Sequence, residues 1–107
     1  MPRDAEPVDA KVRQVVEELK PYYPQQIILF GSYARDDANE YSDVDLIVIS
    51  NVFETMPEER RFDELYMLTH GLYPDFHVYG FTSREFEQAN PLTSLATAKQ
   101  EGVPLLS

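Results

Sequence analysis

The sequence predicts an α/β (α+β) fold in which a small mixed β-sheet is flanked by helices. Short apolar runs of strand type alternate along the chain with amphipathic helical periodicities. Capping and breaking residues separate these segments. A length of 107 residues suffices for one hydrophobic core but not for two, so a single domain over 1–107 is expected, with residues 1–6 as a frayed tail.

From Pro7 to Lys20 the apolar residues Val8, Val12, Val15, Val16 and Leu19 share one helical face, and Pro21 and Pro24 stop the helix. Ile27 to Phe30 is wholly apolar, as expected of a strand covered on both faces. Gly31 and Ser32 end that run, and a short helix from Ser32 to about Ala38 follows, with Ser32 as its cap. Asp37 to Ser42 is polar loop, and Val44 to Ile49 is the second strand.

Thr55-Met56-Pro57-Glu58 reads as a helix start, with a Thr cap and an early Pro. Phe62, Leu65, Tyr66 and Thr69 continue that helix on one face to about Gly71. Asp75 to Phe81 is the third strand, and Thr82-Ser83-Arg84-Glu85 caps a short helix to about Gln88, with Glu85 as the capping acid. A last helix runs from Leu92 to Glu101 and closes at Gly102. Helices thus separate three strands, which fits a small sheet with helices packed against it.

No apolar run approaches the roughly 20 residues of a membrane span. The acidic N-terminus has no apolar core of a signal peptide, so a cytoplasmic protein with no membrane partner is expected. The absence of cysteine excludes disulfides, thiolate metal sites and a cysteine nucleophile. A net charge of -10 weighs against nucleic acid as a partner, because such binding rests on Lys and Arg neutralising phosphates. One bound nucleotide with a divalent cation is compatible with that charge, and so is an oligomer.

The chemistry concentrates between the first two strands. Asp43 and Asp45 stand two apart at the start of a strand, so their carboxylates project from one face. Like charges brought together beside apolar neighbours disfavour each other's ionisation unless a cation bridges them, which points to metal binding. Gly31 lets a phosphate approach the backbone, while the Ser32 hydroxyl and the following N–H groups can bind it. Arg35, one turn further on, can reach the same phosphates, or pair with Asp36 or Asp37. His70 fits a favourable partner for a helix C-terminus.

Gly31-Ser32-Tyr33-Ala34-Arg35, then Ser42-Asp43-Val44-Asp45-Leu46, resembles the minimal nucleotidyltransferases of the DNA polymerase beta-like superfamily, whose signature is Gly-Ser, ten residues, Asp-x-Asp. The likeness extends through the order of elements to Glu101-Gly102-Val103. It implies the nucleotidyltransferase fold, and transfer of a nucleoside monophosphate from a nucleoside triphosphate, ATP in the first instance, to an acceptor hydroxyl. It also implies Mg2+, with Mn2+ as a substitute, and a HEPN-type protein partner that such domains neutralise, in some cases by adenylylation.

The resemblance assigns catalytic roles to Asp43, Asp45 and His77, triphosphate binding to Gly31, Ser32 and Arg35, and metal binding to Asp43, Asp45 and Asp75. One or two ions, roughly 3.5 to 4 Å apart where there are two, would position an in-line attack. Two features depart from the family pattern. Asp36 stands where the family usually has Gly. The third carboxylate of the family falls near His77, with Asp75 two residues earlier on the same face. These departures favour, as the alternative, a degenerate antitoxin or binding module that acts without chemistry. A DNA-repair polymerase fragment is disfavoured by the charge.

Overall fold

The computed structural model describes residues 8–35, 37–39, 42–88, 98 and 100–106. Helix α1 (Val8–Leu19) leads through a 3-10 turn (Lys20–Tyr22) to β1 (Gln26–Phe30), and α2 (Ser32–Arg35) precedes β2 (Val44–Ile49). A second 3-10 turn (Asn51–Thr55) leads to α3 (Glu58–Thr69), followed by β3 (Phe76–Phe81), α4 (Ser83–Glu87) and β4 (Val103–Leu106). The strands form one sheet in the order β3-β2-β1-β4, with β1 antiparallel to β2 and β4, and β2 parallel to β3. The sheet is therefore mixed, as expected.

Alternating side chains divide the core into two layers. On one face Ile27, Val44, Leu46, Val48, Phe76 and Val78 pack with Val15 and Leu19 of α1, Leu65 of α3 and Phe53. On the other, Ile28, Ile47 and Ile49 meet Ala98, with Phe30, Phe81 and Phe86 against them. Asp45 shares the parity of Ile47, and His77 that of Phe81, so both belong to this second face. Gly102 lets the chain close there, since a Cβ on it would collide with Ile28 and with the Ala98 carbonyl.

Several boundaries differ from expectation for local reasons. β4 was not anticipated: it is four residues long and contains Pro104, which a ladder tolerates only at an edge. Thr55 does not cap α3. It ends the 3-10 turn capped by Ser50, and Pro57, extended at φ -60 and ψ 153, holds the N-cap position instead. Helix α2 stops at Arg35 rather than Ala38, because the Asp37 N–H reaches back five residues to the Ser32 carbonyl at 3.1 Å, a wider turn that ends the helical pattern. The tail and most of the expected Leu92–Glu101 helix lie outside the described residues, although Ala98, Gln100 and Glu101 are helical.

The buried face of α3 is rotated from the expected one. Arg61, Leu65 and Thr69 are inside, whereas Phe62 and Tyr66 are each 55 % exposed and stack on one another with ring centroids 6.3 Å apart. Arg61 goes inside because the fold surrounds it with acceptors. It donates to the carbonyls of Phe53 at 2.7 Å and Met56 at 2.8 Å, and to the Glu85 carboxylate at 2.7 Å. Glu85 is also the expected capping acid: with Thr82 it forms a reciprocal capping box at the start of α4.

Candidate active site

The end of β1, the start of β2 and the start of β3 converge at one edge of the second face. In the ladder, Asp45 is the antiparallel partner of Phe30 and the parallel partner of His77. Gly31 follows Phe30 at φ +79, and its carbonyl accepts from the N–H groups of Ala34 and Arg35 at 3.1 and 3.2 Å. Gly31 is therefore the residue at the cap of α2, and Ser32, expected as the cap, is the first helical residue. A Cβ on residue 31 would lie 2.5 Å from Asp45 Oδ2, so the glycine backbone and the carboxylate are packed directly together.

Asp43 lies just before β2 and is joined to His77 by a 2.9 Å contact between Oδ2 and Nε2. The strands that carry the two residues are also locked by the Val44 N–H, which donates to the Asp75 carbonyl at 2.9 Å. Burial pushes the Asp45 carboxyl above the ordinary carboxylate range; His77 opposes the shift and Asp43 adds to it. Tyr79 and Tyr33 ring the same acids. Burial raises the Tyr79 phenol, with Asp45 and Asp43 adding to the effect, and burial, Tyr73 and Asp43 raise that of Tyr33. The site therefore contains a half-buried carboxylate that makes no ion pair among the described residues, next to a second carboxylate tied to an imidazole.

Asp43, Asp45, His77, Gly31 and Ser32 are thus gathered in one region. Arg35 is half exposed and pairs with two acids, Asp37 at 3.3 Å and Glu101 at 3.9 Å. Asp75 is exposed and precedes β3 rather than beginning it; among the described residues no hydrogen bond or ion pair joins it to Asp43 or Asp45. It lines a cleft of about 180 Å³ between α3 and β3 with Phe62, Tyr66, His70 and His77. His70 caps the end of α3, its N–H donating to the Tyr66 carbonyl at 2.9 Å. Asp36 lies outside the described residues. Among the described residues no three ligating side chains already converge on one point.

Tyr33 and Tyr79 were not singled out from the sequence. Tyr79 carried a legible signal, since it stands two residues after His77 and so on the same face of β3. Tyr33 did not, because its approach to Asp43 depends on how α2 folds back.

The family profile of the nucleotidyltransferase domain matches residues 10–99. The chain belongs to this family. Three relatives from Methanocaldococcus jannaschii, all named as candidate protein adenylyltransferases, are similar to parts of this nucleotidyltransferase domain. One is 48 % identical over 54 residues, which is 50 % of this chain and 34 % of the relative. The second is 43 % identical over 44 residues, covering 38 % of this chain and 44 % of the relative, and the third 44 % over 36 residues, covering 34 % and 36 %. Each match therefore spans less than half of the relative's own length. A crystal structure of a candidate nucleotidyltransferase from Sulfolobus solfataricus shares the fold at a TM-score of 0.61, with 16 % identity over 97 % of this chain and 89 % of that one.

Proposed function

We propose that this nucleotidyltransferase domain transfers a nucleoside monophosphate, AMP in the first instance, from a nucleoside triphosphate to a hydroxyl of a partner protein, with Mg2+ or Mn2+. The observation that carries this reading is the direct packing of Gly31 against Asp45. It sets the backbone that this reading gives to phosphate beside a half-buried carboxylate, whose charged form a bound cation would stabilise. The donor chemistry fits such an ion, because two carboxylates two residues apart supply the oxygen ligands that hard divalent cations take.

In this reading Asp43 and Asp45 hold the cation, while Gly31, Ser32 and Arg35 hold the triphosphate. His77, tied to Asp43, completes the centre, and Asp75 stands at its rim. The acceptor oxygen bonds to the α-phosphorus, the bond from that phosphorus to the bridging oxygen breaks, and pyrophosphate leaves. The acceptor's proton passes to a base of the centre or to water. A bound divalent ion supplies charge neutralisation and alignment of the phosphates. The names of the relatives support a protein as acceptor, and the resemblance to minimal nucleotidyltransferases supports a HEPN-type partner.

One observation favours a second reading, in which the domain neutralises such a partner by binding alone. Arg35 is engaged by Asp37 and Glu101 instead of being left open to phosphate. Incubating the protein with radiolabelled ATP, Mg2+ or Mn2+ and the product of a neighbouring HEPN-type gene separates the two. Label on the partner that is lost in the Asp43→Asn, Asp45→Asn double variant supports transfer. Stable binding of the partner with no label establishes the binding module instead.

A further inference from the structure

Strand β3 is an edge of the sheet, and a groove runs along it beside α3. The cleft of about 180 Å³ that reaches Asp75 and His77 continues, through Phe62 and Val78, into one of about 150 Å³ that reaches Glu58. We propose that this groove docks an extended, basic segment of the acceptor protein, which adds to the sheet beside β3 and presents its hydroxyl next to His77. The proposal rests on the transferase reading and names where its acceptor binds.

The backbone of β3 is prepared for a strand. The Val44 N–H donates to the Asp75 carbonyl and the Ser50 N–H to that of Phe81, so the odd-numbered residues of β3 turn their backbone groups to β2. Those of Phe76, Val78 and Gly80 face the other way. The Gly80 carbonyl shows the direction, because it accepts from Arg61 Nη1 of α3 at 3.3 Å. Among the described residues, the N–H and carbonyl groups of Phe76 and Val78 have no partner on that side, although both residues are only 6 % exposed. Backbone groups sheltered to that degree are normally paired, and an added strand supplies donors and acceptors at the matching spacing.

The same register leads to the centre. Asp45 and His77 are ladder partners on one face. A strand paired with β3 stands about 4.8 Å further out, and its residue level with His77 projects from that face too. The groove thus delivers one side chain of the segment to the rim of the centre, where a serine, threonine or tyrosine hydroxyl can approach the nucleotide.

Charge decides the occupant. The groove carries a carboxylate toward each end, Glu58 and Asp75, and Glu59 and Asp63 share the helical face of the exposed rings Phe62 and Tyr66. The arginines of α3 do not offset these acids, since Arg60 pairs with Glu64 and Arg61 with Glu85. Lys and Arg in the segment complement that rim, while Phe62 and Tyr66 cover its apolar side chains. A second copy of this chain, with its net charge of -10, would bring the same acids against each other.

The test uses the full chain and a library of capped peptides of about seven residues, each with a central serine, threonine or tyrosine and the other positions varied. The peptides retained should be rich in Lys and Arg near their ends and in β-branched and aromatic residues between. On binding, the amide hydrogens of Phe76 and Val78 should exchange with deuterium at least about tenfold more slowly. N-methylation of the peptide at the positions facing β3 should abolish binding. Phe62→Ser with Tyr66→Ser should weaken binding at least about tenfold and leave the stabilisation by Mg2+ and ATP as in the parent, because both side chains are more than half exposed and take no part in the centre.

No retained peptide, a retained pool without basic residues, or protection elsewhere than β3 overturns the docking groove. A parent that dimerises, with a dimer that the Phe62→Ser, Tyr66→Ser variant loses, gives the groove to a second copy and overturns it as well. If the groove fails these tests while the parent still labels a partner protein with radioactive ATP, the transferase reading stands. Peptides that bind along β3 but take no label keep the groove and overturn the transferase reading.

Discussion

The Asp45 carboxylate occupies the space that a side chain on Gly31 would need, with Oδ2 only 2.5 Å from where that Cβ would stand. Residue 31 must also adopt φ +79, which L side chains rarely do. Glycine is thus required twice at the point where the two halves of the motif meet. Gly31→Ala should destabilise the fold by about 1–3 kcal/mol, as expected for a residue held in a left-handed conformation. It should also displace Asp45 and abolish the stabilisation by metal and nucleotide. Denaturant unfolding with and without Mn2+ and ATP checks both effects. An alanine variant that still gains the full stabilisation would show that the Gly31–Asp45 contact is dispensable for binding.

The raised affinity of Asp45 for a proton has a consequence of definite sign. With a folded pKa above its ordinary 3.8, the native state binds more protons than the unfolded chain between those two values. Stability of the metal-free protein therefore falls as pH rises through that window, and the cost is fully present above it. Asp45→Asn removes the charge at nearly constant shape. It should melt a few degrees higher than the parent at neutral pH without metal, and should flatten the pH slope in the acid range. Metal should no longer stabilise it. A metal-free Asp45→Asn protein that melts below the parent at neutral pH would contradict this assignment.

The local parts of the site were legible in the sequence, and the long-range parts were not. Gly31, Ser32, Asp43 and Asp45 are close in sequence, and strand alternation alone puts the two carboxylates on one face. Glu85 was readable as a capping acid because a capping box spans three residues. His77 was reached only through the family resemblance, because its pairing with Asp43 rests on the parallel register of β2 and β3, which no local pattern encodes. Strand β4 was hidden by Pro104, and the buried face of α3 by the aromatic stripe Phe62 and Tyr66. An arginine inside that helix is invisible until its acceptors are known.

Arg35 tests how much of the phosphate site is ready for use. Its ion pairs with Asp37 and Glu101 are solvent-exposed, so Arg35→Ala should change stability by no more than about 0.5 kcal/mol. If the guanidinium turns from those acids to the triphosphate, affinity for a non-hydrolysable ATP analogue should fall about tenfold in calorimetric titration. Unchanged affinity would assign Arg35 to its acidic partners and strengthen the binding-module reading.

Arg61 should carry stability without touching the chemistry. Its side chain is 8 % exposed and donates to two carbonyls around the second 3-10 turn, to the Gly80 carbonyl at 3.3 Å and to Glu85. Arg61→Met keeps much of the volume but removes the guanidinium donor from those carbonyls, and losing the partner of a buried acceptor typically costs about 1–3 kcal/mol. Glu85→Gln should cost only about 1 kcal/mol, because its side chain is 39 % exposed and solvent screens the pair. Burial alone would raise the Glu85 pKa, but hydrogen bonds from Arg61 and the Thr82 backbone outweigh it and hold the group below its usual 4.5. Its contribution is therefore full above pH 4.5 and is lost as pH falls through the lowered folded value. Unfolding curves across that acid range should show a decline in the parent that Glu85→Gln lacks. Metal affinity of folded Arg61→Met, measured well below its melting temperature, should match the parent; a loss there would place Arg61 in the support of the centre.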